Sequence, residues 1–396
     1  MAEGTARVCW LLINASHYHV ARWSAFSGDA EFRATLVELA NRDAGFAALQ
    51  AARYDGVEYR TLFPGRHWRT VSGAERRRAI HRELDELSPD VVCLNGWSMG
   101  GAAAGLEWCR KRGRRAIMFS DSNAFDHVRH GLREALKRRL LALVDGAVVA
   151  GRTAREYMVA LGVPAARVSI GYDVVDNAHF AGGAPGSAPA AAPPPPFFIA
   201  AARFEPKKNH LGLLDAFADY RRRAGDSAWP LVILGDGFLR PQMEERITAL
   251  GLEGAVTLPG FADYAALPDW YARAACFVHP STTEQWGLVV NEAMAAGLPV
   301  LVSAQCGCAA DLVHPGENGY TFDPHDTGAL TERMFMLAHG GADLDAMGQA
   351  SRRIIADWGP ERFAAGVREA VKAALASAPQ RAGPLDFVLL RALAGR

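Results

Sequence analysis

The sequence predicts an α/β protein built from two doubly wound halves. Short apolar runs alternate with longer amphipathic ones along the whole chain, the pattern of strand–helix–strand units. A Gly/Ala/Pro stretch breaks that alternation near the middle, and it then restarts. The length of 396 residues suits two domains at about 150 residues each. With 50% hydrophobic and 22% charged residues, the composition is globular and excludes a disordered or fibrous chain.

The N-terminal MAEGTARVCWLLINAS holds a short apolar stretch with no charged leader or cleavage site, so it reads as a first strand and not a signal peptide. RVCWLLIN (7–14), DVVCLNG (90–96), RAIMFSD (115–121) and GAVVAG (146–151) read as buried parallel strands. EFRATLVELANRDAG and REALKRRLLALV read as helices between them. Residues 181–196, AGGAPGSAPAAAPPPP, end in four prolines that continue neither a helix nor a central strand. FFIAAARF (197–204), PLVILGDG (230–237), AVTLPGF (255–261), ACFVHPS (275–281) and PVLVS (299–303) then resume the strand pattern. The expected divisions are a first domain at 1–180, a linker at 181–196, a second domain at 197–370 and a helical C-terminal segment at 371–396.

Several function classes are disfavoured at once. No apolar run approaches the roughly 20 residues that cross a bilayer. The 43 basic and 43 acidic residues give no bias toward nucleic acid. The six cysteines, at 9, 93, 109, 276, 306 and 308, read as small buried side chains with reduced thiols, which points to the cytosol. The Cys306–Cys308 pair has no partner pair or histidine at zinc spacing, so no metal site is expected. The one D-x-D, Asp343 and Asp345, reads as solvated surface.

The informative stretch is EQWGLVVNEAMAAGLPVLVS (284–303). A strand ends at Pro280, a polar loop follows, and a helix runs from about Leu288 to Ala296. Ligands of α/β sheets gather at strand C-termini, and a helix N-terminus there suits a phosphate. Glu284 precedes that helix and Glu292 lies about one turn inside it. A glutamate near a helix start is also favourable through the dipole alone. Three further features fall at strand ends in the same half: Arg203 with Lys208, a pair of cations able to clamp a diphosphate; the Gly235-Asp236-Gly237 turn, which admits close backbone approach; and Gly260-Phe261.

In this order the motifs resemble the donor domain of the retaining glycosyltransferases of family 4, which have the GT-B fold. The hallmark E-x7-E before G-L-P-V is matched by Glu284, Glu292 and Gly297 to Val300. The family's Arg…Lys pair is matched by Arg203 and Lys208, and its G-x-G turn by Gly235 and Gly237. The resemblance implies two Rossmann-like domains facing a central cleft. It implies that Glu284 contacts the transferred sugar, that Glu292 holds the ribose, and that Arg203 and Lys208 bind the diphosphate. Phe261, Trp286, Gly287 and Leu288 join them as donor-binding positions. Gln285-Trp286 replaces the family's usual Gly-Phe, a departure inside the donor pocket. The resemblance further implies that the C-terminal helix returns to the first domain, packing Leu385, Phe387, Val388 and Leu390 against it.

The first half is less explicit. Its first loop, NASHYHVARW, lacks the family's Gly pair and offers His17, His19 and Arg22 instead. His17, His19, Asn95 and Trp97 are candidate acceptor contacts. Asp121, at a strand end where relatives carry a polar pair, is a candidate catalytic residue. A rival motif, G-x-S-x-G centred on Ser98, would suit a serine hydrolase, but no oxyanion segment accompanies it and the E-x7-E block goes unexplained. A non-catalytic nucleotide-sugar-binding protein is the other alternative. The expected partners are a nucleoside-diphosphate sugar, UDP before GDP, and an acceptor hydroxyl, with no cofactor and no metal. Residues 1–180 carry a net +5 and the remainder −5. The basic excess recurs at helical spacing, at Arg133 and Lys137, which suits either a solvated helix or peripheral contact with an anionic membrane.

Overall fold

The computed structural model describes residues 5–42, 57–97, 100–184 and 192–395. The chain forms two compact units. The first comprises Met1–Ala124, Val128–Val174 and Pro360–Arg396; the second comprises Phe125–His127 and Val175–Gly359. The sequence alone puts the divisions at 180 and 370; residues 185–191 of the expected linker lie outside the described residues. Residues 175–181 join the second unit because the short Asn177–Ala181 helix buries Phe180 against Tyr264 and Tyr271.

The first unit holds strands β1 (Ala6–Leu12), β2 (Phe32–Ala40), β3 (Glu58–Phe63), β4 (Val91–Asn95), β5 (Arg115–Ser120), β6 (Gly146–Val149) and β7 (Val168–Ile170). They form one parallel sheet in the order β3-β2-β1-β4-β5-β6-β7. The second unit holds β8 (Phe198–Ala201), β9 (Leu231–Leu234), β10 (Val256–Gly260), β11 (Cys276–His279), β12 (Val300–Ser303) and β13 (Gly319–Phe322). These are also parallel, in the order β10-β9-β8-β11-β12-β13. Each unit is a Rossmann-like α/β layer structure. The strand order reverses between β1 and β4 in one and between β8 and β11 in the other, and such switch points open a crevice at the strand C-termini.

Two expectations are corrected. The stretch 31–45, expected as a helix, contains strand β2, paired in register with β1 from Ala6↔Phe32 to Leu12↔Glu38. Leu36, Val37, Leu39 and Ala40 are all buried, because both faces of a parallel strand are covered. A continuous apolar run has no period that separates it from a buried helix. The second correction concerns the C-terminal helix, Pro384–Ala394. It lies in the first unit and buries Leu390 and Ala394, but Leu385 and Val388 are exposed. Its buried stripe falls at i, i+4, which turns Leu385 and Val388 to the other side. The preceding helix, Pro360–Leu375, sets Phe363 against Trp10 and Phe119, with ring centroids 5.4 and 5.6 Å apart.

Candidate active site

In the second unit, β8 and β11 flank the switch point, and their C-terminal loops carry the charged residues. β8 runs into Ala202–Lys208 and β11 into Pro280–Gly287. A single 3-10 turn, Pro206–Lys208, aims both lysines at Glu284. Lys208 Nζ donates to Glu284 Oε2, and Lys207 Nζ lies 3.6 Å from Oε1. His279, the last residue of β11, sets Nε2 3.7 Å from Glu284 Oε2 and 3.2 Å from Ser281 Oγ. Glu284 is only 8% exposed. Burial alone would push its carboxyl up, but the His279 contact and the Lys208 and Lys207 charges outweigh burial and hold it well below the usual carboxylate range. Burial also pushes the His279 imidazole down, against the opposing pull of Glu284. Arg203 extends from the same β8 loop, with its Nη1 2.8 Å from Glu205.

The loop carrying Arg203 is gripped by backbone. Phe204 N donates to Asp236 O at 2.9 Å, and Ala202 N to Leu234 O at 3.0 Å. A Cβ on Gly235, at φ +129°, would meet Ala202 O at 2.0 Å, and one on Gly237, at φ +157°, would meet Phe204 O at 2.7 Å. The close approach inferred for this turn is therefore made by the chain's own β8 loop. His210, buried at the start of the His210–Ala224 helix, stands edge-on to Phe204 at 5.2 Å. Burial lowers its pKa to about 4, so it acts as a neutral wedge under that loop.

The helix after β11 runs over Leu288–Ala295 with Gly287 as its N-cap, at φ +107°. That left-handed geometry favours glycine. The loop before it is strapped to the segment after β12: Glu284 N donates to Gln305 O at 3.2 Å, Gly307 N to Glu284 O at 3.1 Å and Cys308 N to Trp286 O at 3.2 Å. Cys306 and Cys308 are buried free thiols in that strap. Glu292 is buried on this helix and accepts from the Tyr271 hydroxyl at 2.8 Å. Tyr271 belongs to the Leu267–Arg273 helix and, like Tyr264, packs its ring on Phe180. Trp286, named as a donor-binding position, turns its side chain into the unit's interior. It is 2% exposed, donates from Nε1 to Asn291 Oδ1 at 2.9 Å and packs on Trp358 at 5.0 Å. Phe261, by contrast, is 59% exposed beyond β10, and Leu288 is half-buried in the first helical turn.

In the first unit, several candidate acceptor residues hold the unit itself together. Asn95, ending β4, accepts from Trp10 Nε1 at 2.5 Å and donates to the Tyr172 hydroxyl at 3.1 Å. His19 Nδ1 lies 2.7 Å from Ser16 Oγ and caps the His17–Ser27 helix; burial and the Arg22 charge lower its pKa to about 3. Arg22 is buried, pairs with Asp173 at 3.2 Å and donates to Val174 O at 3.0 Å. Trp97 packs its edge on Tyr157 at 6.3 Å and under Lys137. Asp121 sits half-buried just after β5, and His17 half-buried as the first residue of the helix that follows β1. Ser98 lies outside the described residues. Asp343 accepts from Ala346 N as a helix cap, and no group of three or more His, Cys, Asp or Glu among the described residues is placed to hold a metal ion.

Sequence reasoning missed His279, Lys207 and Tyr271. His279 hides inside an apolar strand run, Lys207 is the neighbour of the motif lysine, and Tyr271 lies on a helix with no motif. Only Lys207 carried a usable signal, being a second cation at the same strand end.

Residues 28–172 match the family model described as glycosyl transferase 4-like domain, and residues 188–354 match that of glycosyl transferases group 1. An exopolysaccharide phosphotransferase of Streptomyces coelicolor is 27% identical over 301 residues, covering 76% of this chain and 30% of that protein. A D-inositol 3-phosphate glycosyltransferase of the same species is 31% identical over 148 residues, covering 37% of this chain and 32% of that protein. The matches thus span about a third of these curated relatives. The solved structure of Anabaena HepE in complex with UDP superimposes with a TM-score of 0.71 at 17% identity, covering 93% of this chain and all of that one. Sucrose-phosphate synthase from Thermosynechococcus elongatus gives 0.71 at 17% identity over 94% and 99% of the two chains. At that identity these two show the shared fold.

Proposed function

The chain belongs to the family 4-type glycosyltransferases with the GT-B fold, and from that membership we propose a specific reaction. A hexose-type sugar passes from a nucleoside-diphosphate sugar, UDP before GDP, to an acceptor hydroxyl with retention at the anomeric carbon. The acceptor is a small metabolite or a lipid-linked saccharide; a lipid-linked one would bring the first unit to a membrane surface. The supporting observation is the cluster at the β8/β11 switch point, where Lys208 and Lys207 pair with one ionised carboxylate, Glu284, beside a helix N-terminus, and Arg203 extends from the same β8 loop.

In this reading Lys208 exchanges its bond to Glu284 for the incoming diphosphate. Glu284 is then released to accept from hydroxyls of the transferred sugar, while Glu292 accepts from the ribose. The bond between the anomeric carbon and the phosphate oxygen breaks as the carbon–acceptor oxygen bond forms on the same face, and the acceptor proton passes to the departing phosphate oxygen. Negative charge growing on that phosphate meets Arg203, Lys208 and the N–H groups that follow Gly287. The scheme asks for no separate carboxylate base and invokes no metal. UDP is favoured because HepE, of the same fold, was solved with UDP and with UDP-glucose. The serine-hydrolase alternative is not favoured, since the segment around Ser98 falls within the glycosyl transferase 4-like match.

The test is a calorimetric titration of UDP and GDP with a screen of acceptor-free hydrolysis of their sugars. Arg203→Ala and Lys208→Ala should each weaken nucleotide binding by about 10- to 150-fold, the worth of a charge-assisted contact at roughly 1.5–3 kcal/mol. Unchanged affinity in both variants would refute the clamp. Hydrolysis of GDP-sugars alone would reverse the nucleotide assignment.

A further inference from the structure

The four most exposed large aliphatic side chains among the described residues all lie on two segments of the first unit. They are Leu132 (86%), Val128 (81%), Leu385 (71%) and Val388 (67%). A lone exposed leucine is ordinary; four gathered on two neighbouring segments call for a cause. Leu132 lies on the Gly131–Leu141 helix seven residues before Arg139, and that spacing puts both on one side. Arg139 Nε donates to Asp386 Oδ1 at 2.8 Å, which sets the first turn of the Pro384–Ala394 helix beside it. Leu385 and Val388, three residues apart, share that helix's exposed side.

Charge around these side chains is one-sided. Residues 127–139 and 381–391 carry seven Arg or Lys and two acidic residues. Both acids are held in ion pairs, Glu134 with Lys137 at 2.8 Å and Asp386 with Arg139. Arg133, Arg138, Arg381 and Arg391 are exposed. Basic side chains alone would suit any polyanion, but exposed aliphatic ones add nothing to a phosphate backbone in water. Aliphatic side chains rimmed by arginine suit a bilayer interface, where the apolar groups enter the headgroup–acyl boundary and the cations meet lipid phosphate.

We propose that this face of the first unit, formed by Val128, Leu132, Leu385, Val388 and the arginines around them, docks on an anionic membrane surface. The contact is peripheral, since no helix among the described residues is long and apolar enough to cross a membrane. It stands apart from the donor chemistry, because none of these residues belongs to the β8/β11 cluster.

The experiment is co-sedimentation of the full chain with vesicles of phosphatidylcholine alone and of phosphatidylcholine with phosphatidylglycerol, across a sodium chloride series. Binding should favour the anionic vesicles by about tenfold or more at low salt and fade as salt screens it. Leu132→Asp combined with Val388→Asp should abolish it, and Arg133→Glu combined with Arg138→Glu should do the same, with melting temperature and UDP affinity unchanged. These are exposed positions, so both variants should fold. Equal binding to both vesicle types, no binding at low salt, or full binding by the double variants would overturn the proposal. So would self-association in sedimentation velocity that the same substitutions remove, which would assign the face to a second copy of the chain. Loss of UDP binding in wild type with vesicle binding intact would strike the donor reading and leave this one standing.

Discussion

Glu284 is a buried carboxylate whose charge is maintained by its neighbours, and acid should expose that dependence. Its pKa in the folded chain lies below the ordinary 4.5 because His279, Lys208 and Lys207 outweigh the burial penalty. In the unfolded chain those neighbours are gone, so the unfolded state binds the proton first as pH falls. Stability rises with pH wherever the unfolded state holds more protons. The Glu284 contribution is therefore fully present above about pH 5 and shrinks progressively below it. Wild type should lose melting temperature more steeply than Glu284→Gln between pH 6 and pH 3, so that the gap between them narrows with acid. A gap that stays constant or widens over that range would show that Glu284 is not ionised by its cations. Glu284, Arg203 and Lys208 were legible in the sequence because each sits at a strand end beside Gly, Pro or a polar loop. His279 was not, because ACFVHPS reads as a uniformly buried strand and a histidine there looks like core.

At the scale of elements, loops and helices hold those residues in place, and two of them can be tested. The Gly235 turn seats the Arg203 loop, and a Cβ there would meet the Ala202 carbonyl at 2.0 Å on a backbone at φ +129°. Gly235→Ala should cost about 1–3 kcal/mol of stability and should also weaken UDP binding, since Arg203 moves with the displaced loop. Thermal melts and calorimetry read both effects; a normal melt with normal affinity would refute the seating. The Leu267–Arg273 helix supports the Leu288–Ala295 helix through the Tyr271 hydroxyl on Glu292. Tyr271→Phe keeps the ring and removes that donor, so a ribose contact held in place by it should loosen. The expected result is a several-fold rise in donor KM with kcat little changed, because ground-state and transition-state binding weaken together. A fall in kcat at constant KM would place the tyrosine's effect at the transferred sugar instead. Neither support was readable beforehand. The Gly-x-Gly spacing announced a close backbone approach, but only the folded chain shows that the approaching backbone is its own. The β2 segment failed for a related reason: burial on both faces erases the period that distinguishes strand from helix.

For the whole molecule, the alternation of runs and the break at the prolines revealed two parallel-sheet units, because covered parallel strands are written as short apolar blocks. Assignment of the C-terminal helix needed more than periodicity, since an amphipathic run does not name the surface it covers. The Pro384–Ala394 helix packs on the Gly100–Arg112 helix, and Ala394 O accepts from the buried Arg76 Nη2 at 3.1 Å. Deleting residues 381–396 uncovers Leu390's packing partners and leaves the Arg76 guanidinium, already pushed down by burial, without that acceptor. A buried donor left unmatched costs about 1–3 kcal/mol, more when charged. The truncated chain should therefore lose hydrogen-exchange protection in the Gly73–Leu87 and Gly100–Arg112 helices, while residues 197–359 keep their protection and their UDP affinity. Arg76→Met in the full chain offers a milder version, removing the buried charge while leaving the helix docked. Protection lost only within residues 197–359 after truncation would mean that the terminal helix stabilises the second unit, and its assignment to the first would fall.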